Sequence, residues 1–128
     1  MEKSNVKLIL GYCQGISETV RDLKKERDSM DRAKDESLYA ELTVKITVLE
    51  RDGQIIRDAM NMLYGRYRGI LKQRYVFGYS WAKIACHTGY PDSTCRNWHG
   101  KGLERMGERL DTVPMIEEIL ERVFCARK

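Results

Sequence analysis

The residues best equipped for chemistry lie between Ser93 and Lys101. Ser93, Thr94, Arg96 and Asn97, together with Gly100 and Lys101, fall on one side of a helix. An arginine or asparagine side chain can pair with two atoms of a base edge, a hydroxyl can donate or accept, and a lysine can neutralise a phosphate. The chemistry is therefore hydrogen bonding inside the major groove of a duplex, with Ser93, Thr94, Arg96 and Asn97 as candidate base contacts. The opposite side carries Cys95, Trp98 or His99, Leu103, Met106 and Leu110, an apolar set that a protein core can hold.

Other chemistry is less well served. Cys86, His87, Cys95 and His99 include a Cys/His pair at i, i+4, but the paired C-x-x-C or H-x-x-x-H spacing of a zinc site is missing, so no metal is expected. There is no Ser/His/Asp set, no Gly-rich phosphate loop and no paired-carboxylate pocket. The chain is expected to be no enzyme, with no catalytic residue and no cofactor. Tyr64, Tyr67, Tyr75 and Tyr79 lie near arginines and could stack on bases, yet helical spacing favours packing.

Holding the polar face outward requires two short helices and a sharp turn. Ser80 can cap a helix whose inner face is Trp81, Ile84 and Ala85. Gly89 permits a left-handed turn, Tyr90 plugs it, and Pro91 stops the first helix from running on. Asp92 or Ser93 is then expected to cap the second helix. Gly100, Gly102 and Gly107 weaken that helix, which predicts fraying before Leu110. A supporting helix is expected over about Tyr67 to Val76.

Charge follows the same layout. Residues 1–58 carry 11 Lys/Arg against 12 Asp/Glu and residues 111–128 carry 3 against 4, whereas residues 59–110 carry 9 against 3. The whole-chain surplus of +4 thus resides in the middle segment. Arg74, Lys83, Lys101 and Arg105 are the leading phosphate candidates, backed by Arg66, Arg68, Lys72, Arg96 and Arg109. Such contacts release counterions and make binding depend steeply on salt.

The N-terminal half has a different pattern. Val6, Ile9, Cys13, Ile16, Val20, Leu23, Arg27 and Met30 recur at steps of three and four, a single stripe along one long helix. A charged break at Asp31 to Ser37 precedes a second stripe from Tyr39 through Leu42, Ile46, Leu49, Gly53, Ile56, Met60, Leu63 and Tyr67 to Ile70. Gly53 costs that helix about 1 kcal/mol relative to alanine and marks a place for a bend. The expected fold is all-α: a helical hairpin over residues 1–62, a tri-helical helix-turn-helix unit over 63–111, and a short helix over 112–128 that restarts at Val113-Pro114. Each stripe needs a partner: the other stripe within one chain, a second chain, or RNA polymerase or another partner helix; a homodimer through the N-terminal helices is the favoured expectation, placing two reading helices on successive half-sites. No run approaches a membrane span and no signal-peptide core is present, which points to the cytoplasm. Cys13, Cys86, Cys95 and Cys125 are scattered, as expected for reduced thiols.

Arg74-Tyr75, Gly78, Ser80-Trp81, Ile84-Ala85, Gly89-Tyr90, Arg96 and Leu103 together resemble region 4 of the sigma-70 family. The Tyr-x-x-Gly-x-Ser-Trp-x-x-Ile-Ala core and the His99-Gly100-Lys101-Gly102-Leu103 ending are similar to sigma-like phage and prophage regulators of the ArpU and RinA type. The resemblance covers residues 63–110. It implies base contacts from Ser93, Thr94 and Asn97, phosphate contacts from Arg74, Arg96 and Lys101, double-stranded DNA as partner and a contact with RNA polymerase. Pro91 stands where that family has a capping Ser or Thr, which moves the helix start to Asp92. No counterpart of sigma region 2 is legible, so a regulator is expected rather than a promoter-melting factor. The other function compatible with these residues is a helical adaptor, such as a phage packaging subunit or a polymerase-binding factor with weak DNA contact.

Overall fold

The computed structural model describes residues 1–126. Two helices of 26 residues each, α1 (Lys3–Asp28) and α2 (Glu36–Asn61), fold back on one another across a turn at residues 29–35. Ser29 Oγ donates to the Glu26 carbonyl at 2.8 Å and the Ala33 amide donates to Asp31 Oδ1 at 3.0 Å, so the polar break forms its own hydrogen bonds. The two stripes then close on each other: Ile16, Val20 and Ile46, flanked by Leu23 and Leu49, fill the distal half. Gly53 produces no break, for α2 runs through it. Gly53 is buried against α1, where a Cβ would make an ordinary contact with Ile16 Cδ1 at 3.5 Å and only the flexible end of Arg57, at 3.1 Å, would have to shift.

At its base the hairpin joins the rest of the chain. Val6, Ile9 and Leu10 meet Ile56, Ala59 and Met60, and the same cluster takes in Leu71, Leu103, Met106, Leu110, Ile116, Ile119 and Val123. The apolar core is therefore continuous across residues 62 and 111. The stripes find partners inside one chain, the first of the three arrangements expected of them. Asp52, fully buried, receives the Arg122 guanidinium at 2.6 and 2.7 Å and the Tyr12 hydroxyl at 2.8 Å, tying α1, α2 and the C-terminal helix together. That hydrogen bond and the adjacent carboxylate hold Arg122 firmly protonated, while burial, then Asp52, raises the Tyr12 pKa.

The remaining elements are α3 (Gly65–Leu71), α4 (Trp81–Thr88), α5 (Asp92–Leu110) and α6 (Ile116–Ala126). All ordered elements among the described residues are helical, in agreement with the expected fold class. The supporting helix differs in detail. It starts at Gly65 rather than Tyr67, and over Lys72–Val76 it widens into a π turn in which the Phe77 amide donates to the Lys72 carbonyl at 2.9 Å.

The expected fraying of α5 does not occur. It continues to Leu110, because Gly102 and Gly107 are buried seats for other segments. A Cβ at Gly102 would lie 3.5 Å from Leu71 Cγ and from Tyr67 Cβ, and one at Gly107 would lie 3.0 Å from the Met1 carbonyl oxygen and 3.3 Å from Val6 Cγ2. Packing offsets the poor helix propensity of glycine. No helix among the described residues is long and apolar enough to cross a membrane.

Candidate nucleic-acid interface

The turn between α4 and α5 is built largely from local hydrogen bonds. Ser80 Oγ accepts from the Lys83 amide at 3.2 Å, capping α4 as its sequence suggested. Gly89 adopts φ 76° and its amide donates to the Ala85 carbonyl at 2.9 Å, a left-handed helix end open to glycine without strain. Thr88 Oγ1 then accepts from the Tyr90 amide at 3.3 Å and lies 3.4 Å from Cys95 Sγ. Beneath this turn Ile70, Ile84 and Cys95 form a small core flanked by Tyr79, Trp81, Ala85 and Trp98.

The start of α5 corrects one expectation. Neither Asp92 nor Ser93 caps it; the N-cap is Pro91, whose carbonyl accepts from the Cys95 amide at 3.1 Å. Proline's fixed φ ends the turn by itself, and Asp92 becomes the first helical residue, where its charge complements the helix dipole. Its carboxylate receives Arg96 Nε at 3.0 Å. The Arg96 guanidinium also lies 5.2 Å from the centroid of the Trp81 ring.

The outward side of α5 carries the expected side chains. Ser93, Arg96, Asn97 and Lys101 are exposed, and Thr94 is half-buried at the edge. Cys95, His99, Leu103, Met106 and Leu110 are buried, so the inner stripe passes through His99 and leaves Trp98 partly exposed. Trp98 is covered by the Arg66 guanidinium at 4.2 Å and by Tyr90 in an edge-on contact at 4.7 Å. Beyond Lys101 the outer side becomes mixed. Glu104 faces Lys3 at 3.5 Å and Glu108 faces Arg105 at 3.4 Å, whereas at the start of the helix Ser93 and Asn97 are exposed beside the Asp92–Arg96 pair.

The expected phosphate contacts occupy three settings. Lys83 and Lys101 are exposed, Lys83 with its ammonium 4.1 Å above the Tyr79 ring. Arg105 is exposed but paired with Glu108. Arg74 is half-buried: its Nη1 donates to the Tyr79 carbonyl at 3.0 Å and its guanidinium lies 4.9 Å from the Trp81 ring, so it fixes the loop that leads into α4. The π turn directs Arg74 and Tyr75 to this position.

His99 is the polar centre of the inner side of α5. Its Nε2 is hydrogen-bonded to the Tyr75 hydroxyl at 2.8 Å, and Trp81 meets the ring edge-on at 4.9 Å. Burial, then the positive charges of Lys7, Arg74, Lys3 and Arg96, pushes its pKa down to about 4, so the imidazole is neutral at pH 7. His99, Cys95, Cys86 and His87 do not converge: the first two point inward and the last two are exposed.

This geometry agrees with the sequence comparison. Residues 53–106 match the family model for sigma-70, region 4. The match begins within α2, earlier than the span from residue 63 suggested by the motif, and its first residues include Ile56, Ala59 and Met60, which belong to the same core as Leu71 and Leu103. The region 4 match thus takes in the end of α2, the supporting helix with its π turn, α4 and most of α5. No curated protein and no solved structure matches the chain.

Lys3 and Lys7 belong to a segment of balanced charge, yet Lys3 reaches the side of α5, 3.5 Å from Glu104, and both charges act on the pKa of His99. Their distance from α5 along the chain gives no local signal.

Proposed function

We propose that this protein is a sequence-specific, double-stranded DNA-binding transcription regulator that inserts the first two turns of α5 into a major groove. The observation that carries the reading is the exposure of Ser93, Arg96 and Asn97 on the second helix of a helix-turn-helix that lies within a sigma-70 region 4 match and holds the chain's cationic surplus. In this reading Arg96 and Asn97 supply two-atom base contacts, Ser93 and Thr94 supply hydroxyls, and Lys83, Lys101 and Arg105 neutralise phosphates. Arg74 reaches the backbone only from the margin of the site, since its guanidinium also holds the Tyr79 carbonyl.

The His99-Gly100-Lys101-Gly102-Leu103 ending supports a phage or prophage origin, and the region 4 match supports an encounter with RNA polymerase in the cytoplasm. Residues 63–111 carry the DNA contact in this account, and residues 1–62 brace it. Selection of duplexes from a random pool with the purified chain tests the reading directly: a common motif should emerge. Recovery of unrelated sequences with equal affinity would favour an adaptor with weak DNA contact.

A further inference from the structure

The first turns of α1 run beside the outward side of α5. Lys3 Nζ lies 3.6 Å from where a Gly100 Cβ would stand and 3.5 Å from Glu104 Oε1. Lys7 follows one turn later on the same side of α1 and is exposed, and its charge, with those of Arg74, Lys3 and Arg96, helps to lower the pKa of His99. Gly107 suits this arrangement, for a Cβ there would stand 3.0 Å from the Met1 carbonyl oxygen and 3.3 Å from Val6 Cγ2 and would press the start of α1 outward. Val6, Ile9 and Leu10 then anchor α1 in the core.

A helix lying in a major groove has a phosphate strand along each flank. One flank of α5 has Lys101 and Arg105. The other has Arg96 and a half-buried Arg74, and directly beyond it stands α1. Glu104 would repel a phosphate on that side were it not covered by Lys3. The ion pair is exposed at both ends, so the Lys3 ammonium can turn one of its three donors to an arriving phosphate while still neutralising Glu104.

We propose that α1 is part of the DNA interface, with Lys3 and Lys7 contacting the phosphate strand on the Arg96 side of α5. This rests on the reading that α5 enters the groove, and it gives the N-terminal helix a direct function in place of a purely bracing one. Phosphate contacts carry no base information, so their loss weakens all duplexes alike.

The test is fluorescence anisotropy of the full chain on a labelled duplex selected from a random pool and on the unselected pool, over a range of salt. In the Lys3→Gln/Lys7→Gln variant the slope of log K against log salt should fall by about two, with equal fold losses on both DNAs. Lys24→Gln/Lys25→Gln, at the far end of the hairpin, should leave the slope unchanged, and thermal melting should show all chains folded. An unaltered slope in the Lys3/Lys7 variant, with Arg96→Ala still losing the selected duplex, would overturn the proposal and leave the function intact. Equal losses from the Lys24/Lys25 variant would reduce the effect to net charge and overturn it too. Failure of the unaltered chain to bind any duplex would remove both.

Discussion

His99 is a histidine that should never carry charge at neutral pH, and this has a measurable consequence. Its folded pKa of about 4 lies below the ordinary 6.5, so between these values the unfolded chain binds a proton that the folded chain refuses. Stability contributed by this group is complete above about pH 6.5 and is lost as pH falls towards 4, by roughly 2 to 3 kcal/mol at the lower end. Urea melts across this window should show the decline. The His99→Gln variant, less stable at pH 7, should show a shallower fall over the same range. An equally steep fall would assign the acid sensitivity to other groups. Asp92 and the Trp81 ring hold the Arg96 guanidinium on the surface, which under the proposed function would reduce the ordering cost of a two-atom base contact.

Among the elements, α5 separates propensity from packing. Three glycines argued from composition alone for a helix that ends early, and the helix does not end early. Substitution should reveal which glycine serves which purpose. Gly100→Ala meets only the mobile Lys3 ammonium at 3.6 Å and should stabilise the fold by up to about 1 kcal/mol, whereas Gly107→Ala meets backbone at 3.0 Å and should destabilise it despite better propensity. Thermal denaturation of the two variants checks the opposite signs. What sequence revealed at this scale was whatever depends on near neighbours: the Ser80 cap, the Gly89 turn, the seams of α1 and α2, and the inner and outer faces of α5. It did not reveal the π turn at Lys72–Val76, the cap at Pro91 or the packing of α1 against α5. The first two are settled by one hydrogen bond among competing options, and the third by contacts between residues at opposite ends of the chain.

For the whole molecule, the hairpin, the helix-turn-helix and α6 share one core, and the buried Asp52 joins three of the helices. Asp52→Asn removes the charge that holds Arg122 and weakens the hydrogen bond from Tyr12, which should cost about 3 kcal/mol and lower the melting temperature of the chain in a single transition. Two separate transitions would show that the hairpin unfolds independently of the reading unit. A rigid base for α5 also means that mutations far along the hairpin should leave DNA binding unaffected. The most direct measurement compares Arg96→Ala with Arg21→Ala, both exposed arginines, on a duplex selected by the unaltered chain. The account predicts that Arg96→Ala loses about 1 to 3 kcal/mol of affinity and relaxes the preferred sequence, while Arg21→Ala changes neither. Equal losses from the two variants, with the sequence preference intact in both, would contradict it.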